Sequence, residues 1–178
     1  MTKLFFVTGN ENKLREARQI LGEEVENIKL DLPEIQNLDP KKIIEEKLRE
    51  AAKTGKENLF VEDVSFHLEC LNGFPGPFIK WFKDAIGIEG IYELCKKYNN
   101  FNATAVANIG FLHDGKTVFF EGAVKGKIVS PRGKSFGFDP IFVPEGHKKT
   151  YAEMKPEEKN GISHRRLALE KMKAHLNL

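Results

Sequence analysis

Several short stretches of this chain carry residue types that do chemistry. Thr8-Gly9-Asn10-Glu11-Asn12-Lys13 joins an apolar run, Leu4 to Val7, to a segment with helical periodicity. A small-residue turn at a helix N-terminus offers backbone N–H groups to an anion, and Lys13 adds a point charge one turn in. An ordinary strand-to-helix turn uses the same residues, and the Walker A pattern GxxxxGK[ST] is absent. Any phosphate held here is held by another design.

Carboxylates come next. Glu62-Asp63 ends a predicted strand, Asn58 to Val61, and Glu34 stands in "DLPEIQ" after a strand-like stretch, Val25 to Leu30. Open α/β sheets bind ligands beyond strand carboxyl ends, although a carboxylate there can equally be solvated. Two hard oxygen ligands from different segments suit a Mg²⁺ whose other positions are filled by phosphate and water.

Two further stretches pose a choice between packing and ligand contact. His164, Arg165 and Arg166 follow Ser163, a good N-cap, so they fall in the first turn of a helix, where the macrodipole disfavours cations. Together with Lys159 they need acidic neighbours, water or a ligand with acceptor oxygens; ligand contact is the expectation for His164 and Arg165, solvent for Arg166. In "SFGFDP", Phe136 and Phe138 would share a face on a regular strand and simply pack. Gly137 between them, Asp139-Pro140 after them and Pro131-Arg132-Gly133 before them argue for a loop, where an aromatic ring can stack on a base.

The elements that must position these residues alternate. A strand at Leu4 to Val7 leads to a helix capped by Asn12 with Leu14, Ala17 and Leu21 on one face and Gly22 as its stop. Asp39-Pro40 opens a second helix with Ile44, Leu48, Ala51 and Ala52 as its stripe. Strand, helix, helix, strand predicts a parallel α/β core. Asn102 to Val129 then holds two β-rich runs around Asp114-Gly115, a type I′ hairpin signal, so the sheet is expected to be mixed. Pro77 is placed to open a helix carrying Lys80, and Leu169, Met172 and Leu176 give the last helix its buried face.

Composition bounds the answer. At 178 residues the chain suits a single domain spanning 1–178, and 28 Lys plus Arg against 26 Asp plus Glu exclude a polycation that coats nucleic acid. Cys70 and Cys95 make no CxxC and no disulfide framework, which fits a reducing, cytoplasmic compartment. The apolar run near the N-terminus is too short for a signal peptide or a membrane span.

"TGNENK", "PEIQ", "VEDVSFHLECLNGFPGPFIKWF", "SFGFDP" and "YAEMKPEEKNGISHR" occur in an order and spacing that resembles the inosine triphosphate pyrophosphatases, which act on non-standard purine nucleoside triphosphates. The resemblance covers nearly the whole chain. It implies an α/β fold with a mixed central β-sheet flanked by helices, in two lobes with an active-site cleft between them. It also implies a Mg²⁺-dependent hydrolase, usually a homodimer, that converts ITP, dITP and XTP to the monophosphate and pyrophosphate. By matched position, Thr8 to Lys13 would hold the triphosphate, Glu34 and Asp63 the metal, Lys80 would approach the phosphates, and Lys47 would match a substrate-contacting lysine. Asp63 would be the catalytic residue. Phe136 would stack on the base beside Gly137, Phe138 and Asp139, and Lys159, Ser163, His164 and Arg165 would line its edge. Many relatives place Ser-Gly after the aspartate; here Val64-Ser65 follows, so Val64 takes a substrate-side position without a hydroxyl. A donor such as Arg165 or His164 facing the 6-oxo group of a purine would be left unpaired by adenine, which is a basis for selectivity. The alternatives are a pyrophosphatase for other modified nucleotides, a non-catalytic nucleotide sensor, and an RNA-binding module, which the near-neutral charge suits poorly.

Overall fold

A computed structural model of the chain describes residues 3–177. β1 (Phe5–Val7) is apolar at every position because both of its faces are covered: Phe6 enters one hydrophobic cluster, Phe5 and Val7 another. It pairs in parallel with β2 (Glu26–Ile28) and β3 (Leu59–Leu68). β4 (Pro75–Gly76) adds to β3 antiparallel, and β5 (Asn102–His113) and β6 (Lys116–Ile128) form the expected hairpin. Asp114 and Gly115 have φ of 48° and 69°, the two left-handed residues that a type I′ turn requires. β7 (Phe142–Pro144) pairs antiparallel with β6, giving, among the described residues, a mixed seven-stranded sheet in the order β2-β1-β3-β5-β6-β7 with β4 on β3.

Among the described residues five α-helices accompany the sheet: α1 (Glu11–Leu21), α2 (Pro40–Ala52), α3 (Ile79–Lys97), α4 (Pro156–Ile162) and α5 (His164–His175). Several local expectations need correction. Asn10, not Asn12, caps α1, because its side chain reaches the backbone N–H groups of Asn12 and Lys13. Ala52 is exposed and Ile43 takes its place in the buried stripe of α2. α3 starts at Ile79, two residues after Pro77, and is interrupted at Gly87. The strand expected at Asn58 to Val61 runs on to Leu68, so Glu62 and Asp63 lie within it.

Two compact units correspond to the expected lobes: residues 3–63, 107–122 and 163–177 form one, 64–106 and 123–162 the other. In the first, Phe6, Phe60, Ala107, Ile109 and Phe111 pack against α1 and α5, with Phe6 and Phe60 stacked at 4.4 Å. On the opposite sheet face Phe5, Val7, Leu59 and Val61 pack against Ile44, Leu48 and Ala51 of α2. Gly110 lets α2 come close, since an added Cβ would overlap Ile44 and sit 2.9 Å from Leu48 Cδ1. In the second unit Phe66 is central, stacked on Phe138 at 4.1 Å and meeting Phe142 edge-on. The Cys70 and Cys95 thiols lie 3.8 Å apart there, and burial beside Cys70 pushes the Cys95 thiol up to about 12, out of reach of ionisation at neutral pH. Among the described residues no helix is long and apolar enough to cross a membrane.

Gly122 of β6 faces the first turns of α5, where an added Cβ would overlap the His164 carbonyl oxygen and lie 2.8 Å from Leu167 Cβ. Gly122→Val should therefore destabilise the protein by about 1–3 kcal/mol, as overpacking does, and lower the thermal midpoint by several degrees. An unchanged melting curve would show that α5 does not rest on this strand.

Candidate active site

Side chains alternate along a strand, so neighbouring Glu62 and Asp63 leave β3 on opposite faces. Glu62 enters the α1/α5 side. Its Oε2 accepts from Arg165 Nε at 2.6 Å and its Oε1 from Arg165 Nη2 at 2.7 Å, while Lys13 Nζ lies 3.2 Å from Oε1. Arg165 Nη1 donates to Glu16 of α1, so two carboxylates and two cations balance in this cluster. Burial alone would raise the Glu62 carboxyl; the charges of Arg165 and Lys13, with the Arg165 hydrogen bonds, overturn this and hold it well below the usual carboxylate range. The Arg165 guanidinium is raised further by the same carboxylates in spite of its own burial.

Asp63 points to the α2 side. Its Oδ1 accepts from Lys47 Nζ at 2.9 Å, and a Glu34 oxygen lies 3.9 Å from the same ammonium. Lys47 is buried although its helix is amphipathic, because it is held by these two carboxylates from separate segments. Asp63 Oδ2 is buried without a hydrogen-bond partner, and so is the amide nitrogen of Asn108 on β5. A buried polar atom left unpaired costs about 1–3 kcal/mol, so each of these atoms asks for an occupant.

The Thr8 to Lys13 turn satisfies several of its own amides. Asn10 N–H donates to Thr8 Oγ1, and Asn12 and Lys13 donate to Asn10 Oδ1. Glu11 pairs with Lys29 at 2.6 Å on the surface. Three amides of the expected anion nest, those of Asn10, Asn12 and Lys13, are thus capped from within the turn, and the Lys13 ammonium faces Glu62.

In the second unit residues 135–138 form a loop, as expected, that runs into a short 3-10 helix, Asp139–Ile141, and their anchor is buried Asp139. Ser135 Oγ donates to Asp139 Oδ2 at 3.0 Å and Lys159 Nζ to the same oxygen at 2.7 Å. The Lys159 ammonium also stands 4.7 Å from the Phe136 ring centroid and 5.4 Å from that of Tyr151. Phe136 is half-buried and leaves part of its ring open, with Gly137 exposed beside it.

Some expected site residues face elsewhere. Phe138 is a core residue on Phe66, so its ring cannot form a wall for a base. Val64 packs against the same core. Arg165, only 2% exposed, has its guanidinium taken by Glu62 and Glu16 and so does not present a free donor to a base edge. Ser163 Oγ is the N-cap acceptor for Arg166 N–H, and His164 is buried beside it. Arg166 pairs with Glu170 at 2.9 Å on the surface, as expected of a residue left to solvent. Lys80 is exposed in the first turn of α3, its ammonium 5.7 Å from the Trp81 ring.

Residues 4–175 match the Ham1 family. The chain belongs to that family. Two proteins named inosine triphosphate pyrophosphatase, from Schizosaccharomyces pombe and Puccinia graminis f. sp. tritici, are each 41% identical to it. The alignments cover 99% and 98% of this chain and 96% and 97% of those relatives. Among solved structures, the Ham1 protein of Coxiella burnetii superposes with a TM-score of 0.84 at 28% identity, covering 99% of each chain. The Ham1 protein of Staphylococcus aureus gives 0.81 at 26%, covering 98% of each. A nucleoside-triphosphatase, dITP/XTP pyrophosphatase, from Mycobacterium abscessus gives 0.73 at 27%, covering 99% of this chain and 100% of that one.

Sequence reasoning about this Ham1 chain missed Glu16 and Asn108. Each left a signal: a glutamate beside the apolar stripe of an amphipathic helix, and an asparagine in the otherwise apolar run "TAVANIGF". Because Arg165 is buried, Glu62→Leu should cost about 3–5 kcal/mol, the penalty for breaking a buried pair and leaving its partner behind. Urea unfolding measures it. The Glu62→Leu/Arg165→Met double variant should recover part of the loss; a loss equal to the sum of the single variants would show that the pair is not coupled.

Proposed function

We propose that this protein hydrolyses non-standard purine nucleoside triphosphates, ITP, dITP and XTP, to the monophosphate and pyrophosphate, and so removes deaminated purines from the nucleotide pool. The observation that carries this reading is the 41% identity, over nearly the full length, to relatives named inosine triphosphate pyrophosphatase. The chain acts as one catalytic domain in the cytoplasm, as a homodimer.

Mg²⁺ fits the donor set. Asp63 Oδ1 and Glu34 already converge on one cation, the Lys47 ammonium, and both are hard oxygen donors. When bound, the metal would offset charge building on the leaving pyrophosphate. Thr8 to Lys13, Lys47 and Lys80 take the phosphates, the lysines acting as point charges. Asp63 accepts the proton of the attacking water. In the second unit the open part of Phe136 stacks on the purine, and Asp139 holds Lys159 beside that ring as a donor for a 6-oxo group. Ser163 and His164 shape the first turn of α5, and Arg165 acts through Glu62 rather than on the base.

The test is pyrophosphate release with Mg²⁺ from ITP, XTP, dITP, GTP, ATP and CTP at one fixed concentration. Preference for the first three is expected; no release from any of them would sink the enzyme reading and restore the nucleotide sensor. Asp63→Asn should abolish turnover and keep measurable nucleotide binding. Phe136→Ala should weaken nucleotide binding by about 1–3 kcal/mol, the worth of one stacked base, while leaving hydrolysis of bound substrate.

A further inference from the structure

Asn108 sits in β5 among residues that face alternate sides. Ala107, Ile109 and Phe111 enter the α1/α5 cluster, whereas Gly110 abuts Ile44 and Leu48 of α2. Asn108, two residues from Gly110, therefore lies on the α2 face. The neighbouring strand in the sheet is β3, whose Asp63 lies on that same face with Lys47 on its Oδ1.

The two strands thus present, on one face, a buried donor and a buried acceptor that both lack partners: Asn108 Nδ2 and Asp63 Oδ2. Asn108 is only 6% exposed, so bulk solvent does not serve it. The chemistry of this pair is selective. A metal ion would satisfy the carboxylate but not the amide N–H, and an ionised phosphate oxygen would satisfy the amide but repel the carboxylate. One oxygen that accepts and donates serves both atoms, and a water molecule is the smallest group that supplies it.

We propose that Asn108 is a water-positioning residue: its amide N–H and Asp63 Oδ2 hold between them the water that attacks the nucleotide. The inference rests on the pyrophosphatase reading above. Asp63 then has two separate edges, Oδ1 toward Lys47 and Glu34, and Oδ2 toward the water. In the step, a lone pair of the water oxygen forms the bond to the α phosphorus and one water proton passes to Asp63 Oδ2. The bond from that phosphorus to the α–β bridging oxygen breaks, and its electron pair leaves with pyrophosphate. Asn108 takes no proton; it fixes one lone pair so that the other can point at phosphorus.

Two measurements test this. The first compares Asn108→Leu, which keeps the bulk and removes the donor, with the unaltered protein on ITP. The expected result is kcat lower by about tenfold or more, the kinetic equivalent of one lost hydrogen bond, with KM within about twofold and an unchanged melting midpoint. An unchanged kcat overturns the inference, and so does a KM increase that accounts for the whole loss. The second is a crystal structure of the unaltered full chain at a resolution that shows ordered water. An oxygen within about 3.2 Å of both Asn108 Nδ2 and Asp63 Oδ2 supports the inference; a direct bond between those atoms, or dry space, overturns it. This arm decides alone should Asn108→Leu fail to fold. An inactive unaltered protein would sink the pyrophosphatase reading and this role with it, whereas an active one with an unaffected variant sinks this role only.

Discussion

The period-two geometry of a β-strand forces the carboxylates of Glu62 and Asp63 onto opposite faces of one sheet, and much of the first unit is arranged to answer that. Each faces the cost of burying charge, and each is met by cations from the helix layer on its own side. Arg165 and Lys13 bring α5 and α1 to Glu62; Lys47 brings α2 to Asp63. The two solutions differ in kind. The Glu62 cluster is saturated, with the fork of Arg165 bound edge to edge and its remaining nitrogen on Glu16, so it behaves as a structural rivet. The Asp63 side is unsaturated, with one oxygen still bare.

The second unit solves its own problem with a single buried carboxylate. Asp139 gathers Ser135 and Lys159 on one oxygen, which folds the surrounding loop and fixes the ammonium beside Phe136. Phe138, two residues from Phe136, closes the core under the loop by stacking on Phe66. The glycine between the rings, with φ of 64°, lets one face inward and the other outward, which a regular strand would forbid.

Much of this was legible in the sequence because it depends on local rules. The first strand, the first two helices, the Asp39 cap of the second, the hairpin turn and the loop character of residues 135–138 follow from short-range periodicity, capping and turn chemistry, whereas the cap of the first falls on Asn10 rather than Asn12. The roles that were misjudged depend on distant partners. Nothing local says that Arg165 will meet Glu62, separated by 103 residues, or that Phe138 will meet Phe66. The wrong-end cations of α5 did announce that a compensating partner exists, but an internal carboxylate and a ligand phosphate satisfy that demand equally well on paper. β3 runs past the point where its sequence suggests an end: the acidic pair in its middle reads as the close of a buried run, yet both charges are met by cations inside.

Gly110 has a consequence for how such a protein can diverge. Its missing side chain lets α2 come close to the sheet, and the arm of Lys47 has a limited reach, so that closeness favours the meeting of the ammonium with Asp63. The hydrophobic layer here works as a spacer gauge for the charged one. Drift in core volume, which elsewhere is absorbed by repacking, would at this layer retune the electrostatics beside the carboxylate. The pace at which these buried apolar positions can change is therefore tied to chemistry they never touch.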